Sequence, residues 1–141
     1  MIGCDCAVCR SSDPRDRRTR VSIAIDLGEN HTGTRHVLVD TSTDLRAQAL
    51  AFDLRRVDAI LFTHSHADHI MGLDDVRRYN AMQGGPIACF GDQRTLDDLR
   101  RVFDYIFQPP AAAGGGIPQL SLFRVAGPFS LGGTEKRIIE P

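Results

Sequence analysis

A mixed α/β layered fold is what this sequence predicts, and three stretches carry the prediction. Between residues 20 and 27, Val21, Ile23, Ile25 and Leu27 alternate with Ser22, Ala24 and Asp26, the period-two pattern of a strand buried on one face. Residues 57–63 set Ile60, Leu61 and Phe62 in succession, as in a short strand buried on both faces. Residues 92–108 space Leu96, Leu99, Phe103 and Ile106 by three, four and three, the stripe of an amphipathic helix, with Asp97, Asp98, Arg100 and Arg101 off it.

The remaining elements fall between these. The first twenty residues hold Cys4, Cys6 and Cys9 and then an irregular polar stretch broken by Pro14, which reads as loop. A polar connection at 28–35 containing Gly33 leads to a short apolar run at 36–39, so the first strand and this run form a hairpin. Asp44 is placed to cap a helix with Leu45, Ala49 and Phe52 on one stripe. After the buried strand, residues 72–83 predict a helix ended by Gly84-Gly85-Pro86, and 86–90 another strand. Pro109-Pro110 stops the long helix, 111–116 is an alanine–glycine loop, and 120–125 and 129–139 are further strand material. Strand pair, helix, strand, helix, strand, helix, strands is a mixed α/β order rather than a strict alternation.

Composition excludes several classes. The 141 residues fit a single domain, with 42% hydrophobic and 25% charged residues and a formal net charge of −1. That balance gives no long-range field for nucleic acid or an anionic membrane. No apolar run approaches the roughly 20 residues of a membrane span, and no leader pattern is visible, so a reducing cytoplasm is the expected setting. Lys136 is the single lysine; the other cations are arginines, and those at 15, 17, 18 and 20 could face a phosphate or simply solvate a loop.

The chemistry concentrates at His64-Ser65-His66-Ala67-Asp68-His69, where three of five histidines interleave with an aspartate at the end of the buried strand. In extended chain His64 and His66 share a side, and Asp68 and His69 follow as the chain turns. Imidazole and carboxylate are ligands zinc accepts, and loops at strand ends are where α/β sheets expose chemistry. His31 and His36 precede the site and read as loop and strand residues. Asp40 is a candidate acceptor for a ligand histidine's other N–H, or no more than a strand end.

This hexapeptide after Ala59-Ile60-Leu61-Phe62-Thr63, preceded by Val37-Leu38-Val39-Asp40, resembles the signature of the metallo-β-lactamase superfamily of metal-dependent hydrolases. The resemblance runs from Gly3 to about Gly91. It implies an αββα sandwich of which about the first half is present. It also implies two divalent ions (zinc first, manganese or iron as alternatives), His64 and His66 holding one, Asp68 and His69 the other. A hydroxide bridging such ions would have its pKa lowered toward neutrality, with Asp68 as the catalytic residue that orients it.

Three thiols within six residues can chelate zinc if a fourth ligand arrives from elsewhere; free or partly oxidised thiols are the alternative. Cys89, beside Phe90, reads as a buried core residue. Cys4, Cys6 and Cys9, with the following Ser11-Ser12-Asp13-Pro14-Arg15 and the histidine motif, resemble the cyclic phosphodiesterase branch that acts in phosphonate breakdown. That likeness implies a structural zinc in residues 1–20 and a small phosphodiester as substrate.

The family pattern also includes a strand and glycine-rich loop before the cysteines, and a later histidine, bridging aspartate and further histidine; none is recognisable here. The expectation is therefore one partial domain over 1–141, the N-terminal half of a longer hydrolase, weak or inactive alone. The alternatives are a same-fold hydrolase of another ester or thioester, or a non-catalytic zinc-binding interaction module.

Overall fold

The computed structural model describes residues 2–30, 33–109, 116–130 and 138–139. A five-stranded sheet runs in the order β1 (Ile23–Asn30), β2 (Gly33–Val39), β3 (Ala59–Leu61), β4 (Ile87–Gly91), β5 (Leu120–Arg124). β1 and β2 are antiparallel, and β2 to β5 are parallel. Each crossover steps one strand onward in the same direction, so right-handed connections leave their helices on one face of the sheet.

Those helices are α2 (Leu45–Ala51), α3 (Ala67–Ile70), α4 (Arg77–Gln83), α5 (Gln93–Val102) and α6 (Asp104–Phe107); a short α1 (Ala7–Arg10) precedes the sheet. Leu38, Ile60, Cys89 and Leu122 are cross-strand neighbours and form the core with Leu45, Ile70, Leu73, Leu96, Leu99 and Phe103. The opposite face carries Val39, Leu61, Phe90 and Phe123, with Phe90 stacked on Phe123 and Phe129 at centroid distances of 5.3 and 4.9 Å. A two-residue pairing joins β6 (Phe129–Ser130) to β7 (Ile138–Ile139).

The predicted α/β class, the hairpin and the buried central strand are all present, with corrections in detail. The hairpin strands are longer than expected and the connection shorter, with residues 31–32 outside the described residues. Gly28 at φ 78° marks the bulge that shifts the register between Asp26 and Glu29. Strand β1 is not half-buried: Val21, Ile23 and Ile25 are exposed, because β1 is a sheet edge whose outer face nothing covers among the described residues. Asp44 stands at the α2 N-cap position without a side-chain cap bond; its Oδ2 instead accepts from the Arg20 N–H at 2.7 Å. Phe52 lies beyond the last helical residue, before Asp53 at φ 49°, and is exposed rather than on the buried stripe.

The helix expected over 72–83 begins as a 3-10 turn, Leu73–Val76, and becomes α4 only at Arg77; Gly84 at φ 73° ends it as anticipated. The helix expected over 92–108 is two helices. Asp92 caps the first through Thr95 N–H at 2.7 Å. Phe103 leaves helical geometry (φ −114°, ψ 47°), where the Asp104 carboxylate takes the Tyr105 N–H at 2.7 Å in place of the helical pattern. Phe103 and Ile106 remain in the core because the stripe continues across the break. Of the alanine–glycine loop expected over 111–116, residues 111–115 lie outside the described residues, as do 131–137 with Lys136. The cysteine segment, expected as loop, contains α1 and a 3-10 turn at Pro14–Asp16.

Candidate metal centre

The carboxyl ends of β2 and β3 lie side by side, bridged by the Asp40 N–H to Leu61 C=O bond at 2.8 Å. Asp40 ends β2 and Thr63 follows β3, so the histidine loop leaves the sheet at the edge where open α/β sheets expose their sites. Residues 63–66 are not in regular structure; His66, extended at φ −66° and ψ 151°, is the N-cap of α3. Ile70, fully buried, anchors the far end of that one-turn helix in the core. Thr41, also buried, clamps it to β2: its N–H donates to His69 C=O at 2.8 Å and its hydroxyl to Ile70 C=O at 3.2 Å. Gly72 completes the clamp by donating to Thr41 C=O at 2.9 Å, and only glycine fits there, since a Cβ would stand 2.0 Å from Ser42 C=O.

Asp40 organises the loop. Its side chain is 2% exposed, and its φ of 62° is a left-handed conformation that aspartate tolerates better than most residues. Oδ1 accepts the Thr63 N–H at 2.8 Å, while Oδ2 receives both the Thr63 hydroxyl and His69 Nδ1 at 2.7 Å. A carboxylate accepts only, so the Thr63 hydroxyl hydrogen points to Asp40. The Thr63 oxygen is then the acceptor for His64 Nδ1, 2.9 Å away. Both imidazoles thus carry a hydrogen on Nδ1, so in the neutral ring Nε2 is the nitrogen free to bind a metal.

The rings of His64, His66 and His69 are neighbours: His64 lies 4.6 Å from His66 and 4.0 Å from His69, centroid to centroid. Asp68 Oδ2 stands 3.8 Å from His69 Nε2. The Asp68 side chain is 45% exposed and the His69 side chain 17%, so the group faces solvent. Two concavities, about 350 Å³ beside α2 and α4 and about 800 Å³ beside β1 and α2, include none of these four residues. The donor set, three imidazoles and a carboxylate, fits zinc, manganese or iron.

The second cluster is tighter. One ligand atom each from Cys4, Cys6 and Cys9 lies within 4.8 Å of the others, and among the described residues no other group of three such ligands is drawn so close. The Cys9 N–H bonds Cys6 Sγ at 3.5 Å, and this is the first cause holding the Cys6 thiol down to about 7, followed by the Cys4 and Cys9 thiols. Thiolates at this spacing suit zinc. Cys89 is fully buried as expected, and burial pushes its thiol far up.

The structure therefore brings His64, His66, Asp68, His69 and Asp40 together and leaves the cysteines as a group of their own. His36 lies in β2 and His31 outside the described residues. Thr63, Thr41 and Gly72 escaped the sequence reading, although Thr63 directly precedes the first histidine. Asp98, set aside there as helix surface, in fact reaches the loop: Ser65 Oγ donates to its Oδ2 at 2.6 Å.

Comparison with known proteins identifies the family. Residues 35–139 match the beta-lactamase superfamily domain. An octanoyltransferase of Porphyromonas gingivalis is 36% identical over 132 residues, 92% of this chain and 25% of that protein. A diphosphatase from the PhnP family superposes with a TM-score of 0.74 at 40% identity, covering 92% of this chain and 47% of its own. Zinc-bound PqqB from Methylobacterium extorquens superposes at 0.56 with 25% identity, covering 90% and 42%. The chain spans between a quarter and about half the length of these relatives. A domain match across most of its residues, the histidine loop included, means that this chain belongs to the beta-lactamase superfamily.

Proposed function

We propose that the protein is a metal-dependent hydrolase of a small phosphodiester, cyclic phosphates included, and that the histidine loop is its share of a two-ion site. The proton chain from Asp40 through Thr63 carries this reading, because it occupies Nδ1 of both His64 and His69 and leaves Nε2 of the neutral rings as the ligand atom. The 40% identity to a PhnP-family diphosphatase favours phosphate over other esters. His64 and His66 would hold one ion, and Asp68 and His69 the other. Divalent ions, when bound, supply Lewis acidity that lowers the pKa of water and neutralises negative charge. The chain's own contributions are separate from that. Asp40 keeps a proton on His69 Nδ1, Thr63 keeps one on His64 Nδ1, and Asp68, exposed beside His69, orients the attacking water.

Cys4, Cys6 and Cys9 would hold a structural zinc, its fourth ligand unassigned. In this reading the partner is a small molecule rather than a membrane or nucleic acid, and the protein works in the reducing cytoplasm, where thiols stay available as ligands. Among the described residues no helix is long and apolar enough to cross a membrane. The four loop residues give each ion two ligands, short of the three protein ligands of a catalytic zinc, so the 141-residue chain, a single partial domain, turns over slowly.

A second reading, hydrolysis of another ester or thioester, draws on the 36% identity to an octanoyltransferase. Incubating the zinc-loaded chain with bis(p-nitrophenyl) phosphate and, separately, with an octanoyl thioester distinguishes the two. The expected result is slow phosphodiester cleavage, far below the roughly 1 per second of an ordinary enzyme, that disappears in His64→Ala. Faster thioester cleavage would transfer the assignment to the second reading, and equal rates in His64→Ala would remove the loop from the chemistry. One sulfur-bound zinc with no ion at the histidines would leave a non-catalytic zinc module.

A further inference from the structure

The histidine loop is held from two sides, and the second side is not explained by ligation. From His64 to His66 no backbone N–H is hydrogen-bonded among the described residues; the flanking bonds are Thr63 N–H to Asp40 and His69 N–H to His66 C=O. Side chains must therefore fix this span. Ser65 stands between the first two ligands. Its hydroxyl donates to Asp98 Oδ2 at 2.6 Å, a short charge-assisted bond across 33 positions of sequence.

Asp98 itself is well fixed. It sits in α5 between Leu96 and Leu99, which are 2% and 0% exposed and lock that helix to the sheet. Arg101 Nη2 holds its other oxygen at 2.8 Å, and the carboxylate is 25% exposed. Asp97, next in the chain, makes the same kind of i,i+3 pair with Arg100 at 2.9 Å but has no bond to the loop. The acids at 97 and 98 are thus alike in their helix pairs and differ in reaching Ser65.

We propose that Asp98 is a positioning residue for the histidine loop, acting through Ser65 to set the relative orientation of His64 and His66. This rests on the reading of that loop as a metal site, since the orientation matters only if both imidazoles serve one ion. Partners that orient metal ligands are worth about 10- to 100-fold in ion affinity.

The test compares Ser65→Ala, Asp98→Ala, the double variant, Ser65→Thr and the control Asp97→Ala in the full chain. Cobalt(II) titration reads the histidine site by its visible bands, while thiolate charge-transfer absorption in the near ultraviolet reports the cysteines separately. Backbone ¹⁵N order parameters at residues 64–66 are measured without metal. Ser65→Ala and Asp98→Ala are each expected to weaken cobalt at the histidines about 10-fold and to lower the order parameters, with the unfolding midpoint little changed. The double variant should be no worse than either single one, because one bond is being removed. Ser65→Thr keeps the hydroxyl and should restore both readouts, and Asp97→Ala should match wild type.

Unchanged affinity and order in both alanine variants would overturn the proposal, as would Asp97→Ala behaving like Asp98→Ala. Should wild type bind no cobalt at the histidines while the order parameters still fall in the two variants, the loop anchor stands and the metal reading fails.

Discussion

Replacing Asp40 by asparagine changes one oxygen to an amide and should invert the protonation of two histidines. Asparagine accepts the left-handed φ of 62° as readily as aspartate, so the backbone need not move. The amide has two possible orientations. Turning its NH₂ toward the Thr63 N–H would oppose two donors in a buried place, at a cost of about 1–3 kcal/mol. The amide oxygen should therefore stay on Thr63 N–H, which faces the NH₂ toward the Thr63 hydroxyl and His69 Nδ1, both 2.7 Å from the present Oδ2. His69 Nδ1 must then accept, moving its hydrogen to Nε2. The Thr63 hydroxyl, now accepting from the amide, turns its hydrogen to His64 Nδ1 and shifts that ring in the same way.

Binding an ion would require both rings to revert. Two neutral hydrogen bonds of about 1 kcal/mol each oppose this, so affinity should fall by about 2 kcal/mol, or roughly 30-fold. Zinc competition against a chromophoric chelator measures the change, with the cysteine site counted separately by its thiols. Folding stability should drop by only about 1–3 kcal/mol, because the loss of charge-assisted bonds is offset by burying a neutral group. An Asp40→Asn protein that binds zinc at the histidines as tightly as wild type would refute the proton chain, and with it the main support for the site.

Other consequences are as specific. Gly72→Ala puts a Cβ 2.0 Å from the Ser42 carbonyl oxygen and 2.8 Å from Leu45 Cβ, contacts with backbone and core that cannot swing away. A loss of about 3 kcal/mol or more in urea unfolding is expected, and a change within 0.5 kcal/mol would show that the clamp at Thr41 yields easily. Leu99→Ala, at a fully buried position, should cost about 2–5 kcal/mol by the same measurement. The Cys6 thiol, lowered to about 7, is thiolate above that pH and protonated below it. In chelator, Cys6 alkylation by iodoacetamide should therefore rise with pH through about 7; zinc bound there should persist below that pH, because the ion itself holds the thiols deprotonated. Cys89 should remain unmodified until the protein unfolds.

Much of this was legible in the residues because it depends on near neighbours. The run Ile60-Leu61-Phe62 and the loop it feeds needed only strand patterning and ligand chemistry, and Asp92 caps α5 through a residue three positions away. What stayed hidden depends on distance along the chain. Asp98 meets Ser65 across 33 positions, a separation with no sequence signature; Asp40 was a candidate acceptor for a ligand histidine, but that it meets His69, 29 positions away, needed the fold. The break at Phe103 was masked because the apolar stripe runs on unbroken to Ile106, while the Asp104 side chain captures the next N–H locally. Phe52 kept helical spacing yet fell outside the packed face because α2 ends one residue earlier. The exposure of Ile23 and Ile25 is a property of β1's edge position, which periodicity cannot reveal.

The most direct test is ¹⁵N NMR of the imidazole nitrogens of His64, His66 and His69 during zinc titration. Before zinc, His64 and His69 should show hydrogen on Nδ1 and an unprotonated Nε2; on titration their Nε2 resonances should shift and saturate together with that of His66. Hydrogen on Nε2 at the outset, or Nε2 resonances that do not move when zinc is added, would contradict a metal centre on this loop.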